Sequence, residues 1–170
     1  MKELWNAYTA DGTLTDTVLV RGEPIPAGLY HMVCEVLVTH TDRSVLCMKR
    51  ASTKPANTYP GYYEATAGGS ALLGETKEEC VKRELKEETG ILCNSFELIG
   101  KTVTKDTIYY TYVCTTDWDK TNVTLQQGET EDFVWMSERE FAAFVNSQDC
   151  IPVHKERYKE YFNKMGYIKQ

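Results

Sequence analysis

The stretch Gly68-Gly69-Ser70-Ala71-Leu72-Leu73-Gly74-Glu75-Thr76-Lys77-Glu78-Glu79-Cys80-Val81-Lys82-Arg83-Glu84-Leu85-Lys86-Glu87-Glu88-Thr89-Gly90-Ile91 decides the reading of this chain. Thr76 and Glu79 have the spacing of a capping box, and Gly90 suits the left-handed position just past a helix end, so a helix is expected over residues 76–89. At about 100° per residue, with Glu84 set to zero, Glu88 falls at about 40° and Glu87 at about −60°. The apolar members Cys80, Val81 and Leu85 fall at about −40°, 60° and 100°. The carboxylates of Glu84 and Glu88 therefore lie inside the apolar sector, while Lys82, Arg83, Lys86 and Glu79 supply the solvent face.

A charge run on a helix is ordinarily a solvated face, so inward-pointing acids need a reason. Glu84 and Glu88 are like charges at i,i+4, which costs roughly 0.2–0.5 kcal/mol even in water. Burial raises that cost and pushes a carboxyl pKa up. A divalent cation removes both difficulties, and carboxylate oxygens on one rigid helix suit hard ions such as Mg²⁺ or Mn²⁺. Ahead of the helix, Gly68, Gly69 and Gly74 are expected to form a tight loop that lets backbone approach a phosphate or a metal-bound oxyanion.

These residues resemble the Nudix box, G-x5-E-x7-R-E-U-x-E-E-x-G-U with U aliphatic. Gly69, Glu75, Arg83, Glu84, Leu85, Glu87, Glu88, Gly90 and Ile91 fill every fixed position. The box spans 23 residues, and a looser likeness in the order of elements extends over most of the chain. The resemblance implies a Mg²⁺- or Mn²⁺-dependent hydrolase of a diphosphate linked to another moiety. It also implies an α/β fold, a Nudix-type α/β/α sandwich with a mixed sheet and an N-terminal β-hairpin. Carried over by position, Glu84, Glu87 and Glu88 are metal ligands. Glu88, or an acid outside the box, deprotonates or orients the attacking water. Arg83 holds the helix by pairing with a box glutamate, Glu75 being the candidate, and Gly69 and Gly90 are structural. Glu129, in the resembling segment 128–135, is the candidate for an additional catalytic acid, with Glu131 second.

A diphosphate brings two or more negative charges to a chain of net charge −6, so metal ions must bridge it to the acids. Cationic side chains would hold the far phosphate. Arg50 and Lys54 follow an expected strand at 45–49, and Lys49-Arg50 resembles a basic motif found there in the family. Strand alternation turns Lys49 the other way.

The remaining composition excludes several classes. The chain of 170 residues, 42% hydrophobic and 26% charged, is expected to form one domain over 1–170 with its own core. Its acidic balance argues against nucleic-acid polymers and anionic membrane as partners. No apolar run reaches 18 residues, and the first six residues carry an acid and no apolar core, so neither a membrane span nor a signal peptide is expected. Cys34, Cys47, Cys80, Cys93, Cys114 and Cys150 form no C-x-x-C pair and read as reduced thiols, mostly buried, of a cytoplasmic protein. The three histidines make no ligand pair, and no D-x-D-x-D-G calcium loop occurs.

Around the box, Asp11-Gly12 predicts a two-residue turn between strands over 3–10 and 13–21, followed by a proline-containing loop over 22–28. Residues 30–39 read as a strand buried on both faces, with 45–49 as its partner across the turn at 40–44. Further strands are expected at 97–103, 107–114 and 133–136. A second helix is expected after Ser137, with Glu140 completing its box, and a third over 153–164. The segments Glu3-Leu4-Trp5-Asn6-Ala7-Tyr8, Arg21-Gly22-Glu23 and Pro60-Gly61-Tyr62-Tyr63 resemble a branch near isopentenyl diphosphate isomerases. Those enzymes carry a catalytic Cys and a metal-binding His where Gly68 and Ser70 stand, so hydrolysis is expected and isomerisation disfavoured. A non-catalytic sensor of the same fold is the alternative. A small-molecule diphosphate is the expected partner, and a homodimer is compatible with the family.

Overall fold

The computed structural model describes residues 2–65 and 67–168. Two strands, β1 (Leu4–Tyr8) and β2 (Leu14–Val20), form an antiparallel hairpin with its own small cluster of Trp5, Ala7 and Leu19. The turn differs from the expected two-residue form. Thr9 and Thr13 close it through a 2.9 Å N–H···O bond, leaving a three-residue loop with Gly12 at φ 95°. That is the type of loop in which a left-handed residue absorbs the extra length.

The main sheet is mixed. Its centre is β3 (His31–His40), which runs parallel to β8 (Thr107–Thr116) along its whole length, from His31 opposite Thr107 to His40 opposite Thr116. β7 (Glu97–Val103) continues the sheet antiparallel to β8. On the other side, β4 (Val45–Arg50) meets β3 at the single pair Thr39 and Val45. The two strands expected to pair therefore part almost at once. β4 instead takes β9 (Thr130–Met136) along one edge and the short β5 (Tyr63–Glu64) on the other. The opening beside β3 is filled by β6 (Ala67–Ser70), antiparallel over Val33 to Val36.

β6 corrects the expectation of a glycine loop at Gly68 and Gly69. Both are paired strand residues, and the left-handed turn comes later, at Gly74 with φ 83°. β3 is buried on both faces only in its second half. Val36 and Val38 enter one apolar cluster and Leu37 the other, while Val33 and Glu35 are half-buried.

Those two clusters give the layers. On one face α1 (Lys77–Thr89) covers β3 and β6 through Cys80, Val81 and Leu85. On the other, α2 (Glu138–Val145), α3 (Pro152–Arg157) and α4 (Lys159–Lys164) carry Phe141, Val145, Tyr158 and Phe162 against Leu37, Val45 and Cys47. The result is an α/β/α sandwich. The last expected helix is divided at Tyr158, whose φ/ψ of −95°/4° leaves the helical region, and Pro152 lies inside its first turn. Tyr158 is fully buried, with its ring stacked 5.5 Å from Phe162, so packing sets the position of the break. All six cysteines are free thiols, five of them buried. Among the described residues no helix is long and apolar enough to cross a membrane.

Candidate active site

α1 begins and ends as its sequence dictates. The Thr76 hydroxyl accepts the Glu79 N–H, the Glu79 carboxylate accepts the Thr76 N–H at 2.8 Å, and Gly90 ends the helix at φ 75°. With both ends fixed, the helical phase turns Glu84 and Glu88 inward, and both are more than nine-tenths buried. Burial pushes the Glu84 carboxyl up, against the opposing pull of Arg83. Burial pushes Glu88 up much further, and the neighbouring charges of Glu64 and Glu84 add to it, against one 3.2 Å hydrogen bond from the Gly68 N–H. Glu87 sits on the flank and remains exposed.

Gly69 is where strand and helix come closest. A Cβ built there would lie 2.4 Å from Glu84 Oε1, so only glycine leaves the carboxylate its place. The neighbouring Gly68 is constrained differently, since a Cβ would meet the Cys34 carbonyl oxygen at 2.7 Å.

Arg83 is not a solvent-face residue, as the helical wheel suggested. Its guanidinium folds back over the site and forms a fork with Glu75, Nε to Oε1 at 2.8 Å and Nη2 to Oε2 at 2.9 Å. Nη1 also reaches Glu84 at 2.7 Å and Glu87 at 3.2 Å, and Nη2 donates to the Ser70 carbonyl at 3.0 Å. One cation thus gathers three of the box acids, and a five-donor planar group suits that task where a lysine would not.

A cavity of about 310 Å³ opens over these groups, lined by Gly68, Gly69, Arg83, Glu84, Glu87 and Glu88. Arg50, the last residue of β4, Lys54 beyond it and Glu129, before β9, also line it. Arg50 is held by Glu64 at 2.7 Å and by the Thr58 carbonyl at 2.7 Å, and Lys54 is bonded to Glu129. Glu131 does not line the cavity. It is engaged by Lys49 at 2.9 Å and by the Ser52 N–H and hydroxyl at 2.8 and 2.9 Å, which hold its carboxyl down at about 2.

Three charged contributors were absent from the expected set, and Gln126 also lines the cavity. Glu3 and Arg21 reach the cavity rim from the ends of the N-terminal hairpin and pair with each other at 2.9 Å. Glu64 stands behind Arg50 and acts on Glu88 through its charge. Their only sequence signal is position. Glu3 and Arg21 belong to the segments that resemble the isomerase branch, and Glu64 directly follows Pro60-Gly61-Tyr62-Tyr63.

As a metal site, the donor set fits a hard divalent cation. Its potential ligands are all carboxylate oxygens, two of them buried and destabilised as anions, and Gly69 keeps the space beside Glu84 free. In the present side-chain arrangement Arg83 takes Glu84 and Glu87, and among the described residues no three acidic, cysteine or histidine side chains already converge as ligands. Loading would therefore move carboxylates off the guanidinium.

Residues 29–156 match the NUDIX domain family. An uncharacterised Nudix hydrolase of Listeria monocytogenes is 29% identical over 156 residues, covering 88% of this chain and 89% of its own. Another, from Pseudomonas aeruginosa, is 44% identical over 46 residues, 27% of either chain. Among solved structures, a Deinococcus radiodurans protein aligns with a TM-score of 0.72 at 15% identity, covering 94% of this chain and 99% of its own. The MutT protein of Methanosarcina mazei aligns with a TM-score of 0.61 at 20% identity, covering 81% and 95%. At these identities the structural likeness carries the fold alone.

Proposed function

Since the chain belongs to the Nudix hydrolases, enzymes that act on phosphorus-containing acid anhydrides, we propose that it is a Mg²⁺- or Mn²⁺-dependent pyrophosphohydrolase of a small-molecule diphosphate linked to another moiety. The observation that carries this reading is a pair of buried carboxylates, Glu84 and Glu88, lining one cavity together with Arg50 and Lys54. Carboxylates and cations lining the same cavity are what a cation-bridged polyanion needs.

Nudix hydrolases generally use divalent metal ions, which acidify a bound water and neutralise charge developing on the phosphoryl oxygens. Here Glu84, Glu87 and Glu88 would hold the ion. Glu88, whose carboxylate burial makes more basic, is suited in its ionised form to receive a proton from the attacking water. The water oxygen bonds to phosphorus while the bridging P–O bond breaks, and the leaving phosphate carries away that electron pair. Arg50 and Lys54 bind the non-bridging oxygens, Lys54 exchanging Glu129 for substrate. Glu129, released by that exchange, is the second acid able to orient water. Arg83 keeps Glu84 aimed into the site.

The isomerase chemistry lacks its groups. Gly68 and Ser70 bear neither thiol nor imidazole, and Cys80 is fully buried with its Sγ 3.6 Å from the Gly69 carbonyl.

The deciding experiment is a diphosphate panel assayed with Mg²⁺ and Mn²⁺, with and without chelator. Metal-dependent phosphate or nucleotide release is the expected result. Turnover that survives chelation sinks the metal mechanism, and tight binding without turnover across the panel favours a sensor instead.

A further inference from the structure

Arg50 and Lys54 line the same cavity but are held in different ways. Lys54 is bonded to Glu129, whose side chain is 43% exposed. Arg50 is tied at two nitrogens: Nε donates to the Thr58 carbonyl at 2.7 Å, and Nη1 donates to Glu64 Oε2 at 2.7 Å. The Glu64 side chain is only 11% exposed, so solvent screens this pair little. Among the described residues Nη2 of Arg50 has no acceptor. The strands bring this about. β5 places Glu64 opposite Met48, and the Arg50 N–H reaches the Tyr62 carbonyl at 2.9 Å. Arg50 and Glu64 are thus diagonal neighbours on one face, a separation that long side chains span. The Thr58 carbonyl comes from a 3₁₀ turn over Ala56–Thr58, which Tyr59 ends at φ 56°. That left-handed conformation is costly for a residue with a Cβ, so the strain lies directly behind the carbonyl that holds Nε.

A carboxylate beside a phosphate-binding cation needs a reason. Its charge opposes the anion that Arg50 is to hold and cancels part of the attraction. His154 does not supply the reason. Its Nε2 lies 3.9 Å from the same Glu64 oxygen, beyond hydrogen-bond range, and burial pushes the imidazole down, toward its neutral form. Arg50 is therefore the cation to which Glu64 is committed. What the carboxylate supplies is direction. A loose arginine gives up rotamer freedom when it closes on a ligand, whereas one tied at two points has already lost that freedom in folding. Ties on Nε and Nη1 fix the plane of the guanidinium and leave Nη2 available for an oxygen acceptor.

We infer that Glu64 is a positioning residue of the hydrolytic site: it acts through Arg50, holding the guanidinium at the angle at which Nη2 meets a diphosphate oxygen. The inference rests on the reading of this cavity as a diphosphate site. It goes beyond that reading by giving a role to a residue that does not line the cavity.

Two conservative substitutions separate position from charge. Glu64→Asp keeps the charge and draws the carboxylate back by one methylene. Glu64→Gln removes the charge and keeps an oxygen within reach of Nη1. The probe is methylenediphosphonate, a diphosphate mimic that cannot be hydrolysed, titrated calorimetrically at saturating Mg²⁺. Glu64→Asp is expected to weaken binding about fivefold or more, and Glu64→Gln, whose neutral bond is weaker, about two- to threefold. In an Arg50→Lys background Glu64→Asp should change Kd by less than about twofold, because the group it positions is gone. A carboxylate acting through its charge alone gives the reverse order: Glu64→Gln binds tighter than the wild type and Glu64→Asp binds equally. That order overturns the inference. So does a Glu64→Asp effect that keeps its full size in the Arg50→Lys background, which marks a general loosening of the fold. If Glu64→Asp does not fold, Glu64→Gln decides: weaker binding that is lost in the Arg50→Lys background supports the role, and unchanged or tighter binding refutes it. Absence of binding by the wild type is a different failure, which removes the diphosphate reading and the inference with it.

Discussion

α1 and α2 open identically and bury opposite chemistry. Each starts with a complete capping box, Thr76 with Glu79 and Ser137 with Glu140. Four residues past the cap stand Cys80 and Phe141, both fully buried. Eight residues past it, α2 buries Val145 where α1 buries Glu84, and one turn later α1 buries Glu88 as well. The local rules that start a helix are the same in both; what differs is whether the inward stripe is spent on packing or on holding charge. α2 is a wedge in an aromatic cluster with Phe162 and Tyr167. α1 accepts carboxyls whose ionisation burial opposes, which lowers stability at neutral pH in exchange for a reactive surface.

The sharpest break of this contrast is Phe141→Ala. Removing a fully buried aromatic should cost about 3–5 kcal/mol, read as a melting-temperature drop of about 2–4 °C per kcal/mol, with kcat retained by the fraction still folded. Glu88→Gln should do the reverse. Turnover is expected to fall about 100-fold or more, while the metal-free protein melts higher at pH 7 because a buried anion has been removed. A loss of stability in this variant would contradict the contrast.

The same group sets a pH dependence. Its folded pKa is raised, so between the unfolded carboxyl value and the folded one the native state binds the extra proton. Metal-free stability should therefore fall as pH rises through that window, and Glu88→Gln or added Mg²⁺ should flatten the slope in chemical denaturation series.

The two neighbouring glycines give a smaller effect of the same kind. Gly69→Ala meets a movable carboxylate, so about tenfold loss of activity with little change in melting is expected, whereas Gly68→Ala meets backbone and should destabilise by about 1–3 kcal/mol. Smallest are Thr76→Ala and Ser137→Ala, each expected to cost about 1 kcal/mol in denaturation, because the caps are equivalent.

Much of this was legible beforehand because short-range chemistry controls it. Both capping boxes, Gly90 and the inward phase of Glu84 and Glu88 depend on residues within a few turns of each other. Arg50, Lys54 and Glu129 could be named from their places in the chain, but their meeting in one cavity depends on β4 pairing with β9. β6 was illegible because Ala67-Gly68-Gly69-Ser70 has no strand propensity, and only its partner β3 makes it a strand. Glu64, on a two-residue strand, has no periodicity to reveal it. The division at Tyr158 arises from the packing of its ring, which no local pattern encodes.

The pairing scheme also governs how the polypeptide is made. His31 waits for Thr107, 76 positions later, and Val45 waits for Met136, 91 positions later. Emerging from a ribosome, the nascent chain therefore presents one edge of β3 bare until β8 follows, and one edge of β4 bare until β9 follows later still. Such distant partners make closure slow and give chaperones a window in which to bind.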